Sequence, residues 1–174
     1  MLNMQNWPGL IQKINESGYQ IHQVDNELVG VKSADGTSGQ QIENEINSII
    51  NGYSVEDCAN YVCLQIEKMA TSKRNVVISP YSPGEMAAWP IKRAEALTYQ
   101  SSGNPSDVPN LNAEAASRGM SLQTLVTKVL NDAARFSWME AHIAGTSGRH
   151  RDAIRLCQTH EDIMNYNYNT GWPV

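Results

Sequence analysis

Ser54-Val55-Glu56-Asp57-Cys58-Ala59-Asn60-Tyr61-Val62-Cys63-Leu64-Gln65-Ile66-Glu67-Lys68-Met69 decides the fold class. Val55, Ala59, Val62, Ile66 and Met69 recur at intervals of three and four, which lines them along one face of an α-helix. Ser54 and Asp57 precede that run with the spacing of a capping box, although Asp serves the third position less well than Glu. The spacing predicts an amphipathic helix from Ser54 to about Ser72. A longer one begins at Ser121, a capping residue, with Leu122, Leu125, Val126, Val129, Ala133, Phe136 and Ile143 on one face. These two stretches make the chain mainly α.

Toward the N-terminus the period changes. Asn6-Trp7-Pro8 reads as the start of a short helix, with Asn6 capping, Leu10, Ile11 and Ile14 as its apolar stripe, and Gly18 as its stop. Residues 19–24 and 28–32 are β-rich runs around Asp25-Asn26-Glu27, the pattern of a hairpin closed by Asp35-Gly36. Ile42, Ile46, Ile49 and Ile50 then give a helix that ends at Asn51-Gly52. Residues 1–53 are read as a small acidic helix and hairpin region. Residues 54–174 are read as an antiparallel helical bundle with an irregular aromatic tail, so the chain is α+β overall.

Within the second region, Ser82-Pro83 with Glu85 is a strong helix start, and Gly103 is the expected stop. Pro90 lies inside that helix and predicts a kink or two abutting helices. Leu111 to Arg118 reads as a short helix stopped by Gly119. Gly145-Thr146-Ser147-Gly148 interrupts the long pattern from Ser121, predicting a broken helix or a close contact that excludes side chains. Thr159 and Asp162 open a last turn or two before Tyr166, Tyr168 and Trp172.

Composition narrows the function. The net charge is −5, and residues 1–53 hold −4 of it, from Lys13 and Lys32 against Glu16, Asp25, Glu27, Asp35, Glu43 and Glu45. That balance offers no basic surplus for a nucleic acid. The pairs Lys73-Arg74 and Lys92-Arg93 and the run Arg149-His150-Arg151 read as solvated helix faces, with Asp152 completing a surface turn. No apolar run reaches the ~20 residues of a membrane span. The start lacks the pattern of a signal sequence. Three cysteines in a chain this long fit a reduced cytoplasm, with thiols as small core side chains.

Candidates for chemistry are sparse. Cys157-x-x-His160, joined by His150 or Glu161, is the best metal candidate, but zinc normally takes two close pairs. Cys58 and Cys63, five apart, would point about 140° away from each other on one helix. Buried thiols are the better reading. A Cys157 nucleophile lacks a recognisable setting. Gly145-x-x-Gly148 before Arg149 lacks the strand and the Lys-Ser/Thr of a phosphate loop. Catalytic, cofactor and metal residues are therefore read as none, and a small-molecule ligand is disfavoured. Tyr166, Tyr168 and Trp172, interleaved with Asn, are the candidate partner-binding residues. The competing readings are an internal plug over the bundle and stacking on a sugar.

Residues 79–174 carry a resemblance. Ser79-Pro80, Ser82-Pro83-Gly84-Glu85-Met86-Ala87, Trp89-Pro90-Ile91-Lys92, Ala94-Glu95-Ala96 and Tyr99 resemble small proteins encoded beside tail-fibre genes in tailed phages and prophages. So do Ala113-Glu114-Ala115-Ala116, Arg118-Gly119, Ser121-Leu122, Ala141, Ile143-Ala144-Gly145, His150-Arg151-Asp152-Ala153-Ile154 and Gly171-Trp172-Pro173. The resemblance implies a tail-fibre assembly chaperone or a minor fibre-associated component whose partner is a tail-fibre or other tail protein. It would act in the bacterial cytoplasm during assembly or stay in the virion tail, and it brings no catalytic residue. The second reading is a small phage-encoded regulatory or inhibitory protein that binds a host protein through the acidic residues 1–53.

Overall fold

The computed structural model describes every residue except Met1, Asn26 and Val174. Among these it has seven α-helices, a short 3-10 turn and a two-stranded antiparallel hairpin, so the chain is mainly α with a small β unit. In order they are α1 Leu10–Glu16, β1 Tyr19–Val24, β2 Glu27–Lys32, α2 Gln40–Gly52, α3 Val55–Ile78, α4 Pro83–Ser102, the turn Pro105–Asp107, α5 Pro109–Ser117, α6 Leu122–Leu156 and α7 His160–Asn165. Two compact units form, one of residues 1–69 with 147–170 and one of 70–146 with 171–174. The sequence placed a boundary near residue 53. The first unit instead takes in the front of α3, whose Cys58, Ala59, Val62, Cys63 and Ile66 are buried, and the end of α6 with α7.

In the first unit, α1 starts later than expected. Its N-cap is Gly9 in the left-handed region (φ 81°), without a side-chain cap, so Asn6 does not cap it. The Tyr53 hydroxyl donates to Pro8 O at 2.7 Å, and Trp7 stacks on His160 with ring centroids 3.9 Å apart. These contacts hold Trp7-Pro8 as a turn ahead of the helix. Gly18 stops α1 at φ 89°. The hairpin turn includes Asn26, which lies outside the described residues. Gly30 faces α2 closely enough that a Cβ there would fall 2.2 Å from Ile46 Cδ1. The Ser54–Asp57 box forms, with Ser54 Oγ accepting from Asp57 N–H at 3.0 Å and Asp57 Oδ2 accepting from Ser54 N–H at 3.1 Å. These bonds hold the Asp57 carboxyl below its ordinary range, and Thr159 does the same for Asp162 at the start of α7. Both caps contribute above the ordinary carboxylate pKa and are lost as pH falls through the depressed values.

In the second unit, α3 continues through Asn75 and Val76 to Ile78, past the expected end near Ser72. Ser82 caps α4 by accepting from Glu85 N–H at 3.1 Å. That helix runs through Pro90 as one element, not two. Pro90 is exposed, so solvent can reach the turn whose hydrogen bond it removes. The core joins Ala96 of α4, Val108, Leu111 and Ala115 around α5, and Leu125 and Val126 of α6, with Tyr99, Met120 and Val129 against them. No side chain of its own caps α5. The Glu95 carboxylate of α4 does so, accepting from Leu111 N–H at 2.8 Å. Lys92 is not a free solvated charge, since it pairs with Glu114 at 2.8 Å.

The long helix α6 overturns both readings of Gly145-Thr146-Ser147-Gly148. It is continuous from Leu122 to Leu156, and a Cβ added at either glycine would meet nothing within 4 Å. Buried Ile143, Thr146, Ser147 and His150 anchor the surrounding turns. That anchoring outweighs the cost of about 1 kcal/mol per helical glycine. Gly145→Ala and Gly148→Ala should therefore each stabilise the chain by about 0.5–1 kcal/mol in chemical denaturation. A loss of stability would mean that the added methyl meets something. The apolar face from Ser121 is buried at Leu125, Val126 and Ile143 but only half-buried at Val129 and Ala133.

Candidate protein-binding surface

The C-terminal aromatic segment is built on α6 and α7. Thr159 and Asp162 form a reciprocal capping box that fixes where α7 begins. The chain leaving α7 then returns to His150, which is buried inside α6 and not on a surface turn. Its Nε2 lies 2.9 Å from Thr170 O, and a carbonyl oxygen only accepts, so Nε2 carries the proton and donates. In the neutral ring Nδ1 is then the acceptor for the Tyr166 hydroxyl, 2.7 Å away. The two rings meet edge-on with centroids 5.6 Å apart.

Tyr166 is thus directed into its own unit. Tyr166→Phe should cost about 1–3 kcal/mol, because it takes a hydrogen-bond partner from a buried ring. Equal melting temperatures for the two proteins would remove that bond from the account. Tyr168 is half-buried in the same unit. Trp172 is half-buried in the other, where the Thr146 hydroxyl donates to Gly171 O at 3.0 Å. The three candidates are therefore not brought into one cluster within a unit.

The 70–146 unit also exposes aromatic side chains, in two separate ring groups. Trp138 is 57% exposed and lies tilted against His142, one turn further along α6, with centroids 4.1 Å apart. Tyr81, Trp89 and Phe136 form an edge-to-face run with centroid separations of 4.9 and 5.3 Å. Tyr81 and Phe136 remain partly exposed, and Val76 and Ile91 of the same unit are also exposed. Exposed apolar side chains mark contact sites where they form a continuous patch, and single ones are ordinary on a protein surface. Arg74 and Glu140 make a three-bonded ion pair at 2.8–3.0 Å there, so Glu140 is paired within the unit.

The sequence reading missed Trp138. Its signal was position: five residues before buried Ile143, it sits about 140° around the helix from the apolar face. A tryptophan off the buried stripe of an amphipathic helix has to be accommodated by solvent or by a partner.

The thiols serve packing. Cys58 and Cys63 are buried, and burial pushes the Cys58 thiol up to about 11, with nearby Cys157 adding to the shift. Cys63 and Cys157 are also raised, chiefly by burial. Protonated thiols are poor nucleophiles. Cys157 Sγ donates to Ala153 O at 3.5 Å, while the His160 ring stacks on Trp7 and Tyr53. Among the described residues, no three His, Cys, Asp or Glu side chains are grouped to hold a metal ion. Also among them, no helix is long and apolar enough to cross a membrane. A shallow depression along α6 is lined by Gln123, Thr124, Thr127, Lys128, Asn131 and Asp132 of that helix alone. No protein-family model, curated protein or solved structure matches the chain.

Proposed function

We propose that the chain works by binding another protein, as an accessory of a phage tail fibre: an assembly chaperone, or a minor component that stays on the fibre. The observation that carries the binding reading is the exposure of large apolar side chains in the 70–146 unit, Trp138 at 57% among them. The fibre as partner rests on the resemblance of residues 79–174. In this reading the helical unit covers apolar or unpaired surface on a trimerising fibre until assembly is complete. Trp172, held by the Thr146–Gly171 bond in the same unit, is carried forward as a second contact. Tyr168 is carried forward as a lesser one. The contact forms in the host cytoplasm during assembly, and a retained copy travels with the virion tail.

Co-expression with a candidate tail-fibre protein tests the proposal. More soluble fibre trimer in the presence of this chain is the expected result. Equal yields with and without it would contradict chaperoning, and mass spectrometry of purified particles then separates a transient chaperone from a retained component.

A further inference from the structure

The hairpin presents two edges that differ. Tyr19 faces Lys32, Ile21 faces Gly30 and Gln23 faces Leu28. The Ser33 N–H donates to Gly18 O at 2.8 Å, and bonded and non-bonded pairs alternate along an antiparallel ladder. Gln20–Val31, His22–Val29 and Val24–Glu27 are therefore the pairs bonded across the hairpin. Tyr19, Ile21 and Gln23 turn their N–H and C=O groups to the other side of β1. On β2 the outer groups are partly used: Lys32 N–H donates to Thr37 O at 2.8 Å, its carbonyl accepts from Gly36 N–H at 2.9 Å, and Val31 bridges Ser38. Among the described residues, the outer groups of β1 have no such backbone partner.

Proteins commonly blunt an open edge with lysine, proline or a bulge. β1 has none of these: its sequence is Tyr19-Gln20-Ile21-His22-Gln23-Val24, and its register with β2 is unbroken. Gln20, His22, Gln23 and Val24 are exposed. Such a row of backbone donors and acceptors is matched by another extended chain.

We propose that β1 pairs with β1 of a second copy, antiparallel about a two-fold axis at Ile21, so that two hairpins make one four-stranded sheet. In that register Ile21 faces its own copy, Tyr19 faces Gln23, and Gln20 faces His22. Self-complementarity favours a second copy as the occupant. The strand carries no Asp, Glu, Lys or Arg, so self-pairing sets no such like charges opposite each other. Gln20 Oε1 and His22 Nε2 already meet within one chain at 3.2 Å, and the same groups face each other across the axis. A two-fold contact needs a single self-complementary patch, and a two-stranded ribbon gains by widening. Residues 1–53 of each copy carry a net charge of −4, so pairing brings like-charged regions together. Salt should therefore tighten this dimer by screening that repulsion.

Sedimentation of the full chain between about 1 and about 300 µM, at low and high salt, tests the pairing. The wild type is expected to form a concentration-dependent dimer that strengthens with salt. Gln23→Pro removes an outward donor and leaves the hairpin's own bonds in place. It should weaken the dimer at least about tenfold with an unchanged far-ultraviolet spectrum. If the proline disturbs the hairpin, the double variant Gln20→Glu with His22→Glu places carboxylates opposite each other across the axis and should also give monomer. A wild type that stays monomeric throughout, a dimer that survives the charged double variant, or one that dissociates as salt rises would overturn the proposal.

Discussion

Gly9→Ala is expected to destabilise the chain by about 3 kcal/mol or more. Two independent terms act at this position. The backbone sits at φ +81°, where a Cβ costs about 1–2 kcal/mol. The added carbon would also fall 2.5 Å from Tyr61 Cγ, 2.7 Å from Tyr61 Cβ and 2.6 Å from the Tyr53 hydroxyl. Tyr61 Cβ is attached directly to the backbone of α3, so a rotamer change cannot carry it away. The Tyr53 hydroxyl is held by Pro8 O, and overpacking of this kind typically costs 1–3 kcal/mol. Thermal denaturation should show a fall of roughly 6–12 °C for a chain of this length. A shift below about 2 °C would mean that the turn before α1 rearranges freely.

Leu111→Ala should cost about 2–5 kcal/mol, the range for emptying a fully buried leucine site. Leu111 is completely buried between α4 and α6 residues in the 70–146 unit, and its N–H is held by Glu95. The capped backbone cannot easily collapse into the space, which places the effect toward the upper end. Leu156→Ala is the matched control, because that side chain is 76% exposed and its removal should change stability by no more than about 0.5 kcal/mol. Urea midpoints for the two variants measure the contrast. Similar values for both would show that the core is misplaced.

The features legible in the sequence are those decided within a few residues. The boxes at Ser54–Asp57 and Thr159–Asp162, the cap at Ser82 and the stop at Gly103 each rest on neighbours three or four apart, and β1 and β2 on β-rich runs around a polar turn. What escaped the sequence depends on distant partners. Asn6 was a plausible cap, but Tyr53, far along the chain, holds the turn that starts α1 three residues later. The cap of α5 comes from Glu95, which no local pattern at Val108 announces. Two glycines argued for a break in α6, yet the packing of Ile143, Thr146, Ser147 and His150 around them carries the helix through. Propensity loses to tertiary burial there.

The candidate site divides the same way. An aromatic cluster near the C-terminus could be read directly, but the union of Tyr166 and Thr170 with His150 required the fold that brings residues 16 and 20 positions apart together. Trp138 could have been found from its displacement around the helix, and it is the residue whose exposure most calls for a partner.

The proposed binding is tested most directly by titrating the tail-fibre protein proposed as partner with wild-type chain and with Trp138→Ala, while recording the melting temperature of each free chain. Trp138 is exposed and off the core, so its removal should leave the melting temperature within about 2 °C. Loss of a buried aromatic anchor should weaken association by at least tenfold, as expected for more than about 1.4 kcal/mol at a contact. Unchanged association together with an unchanged melting temperature would contradict the account, because the exposed tryptophan would then serve neither the fold nor the partner.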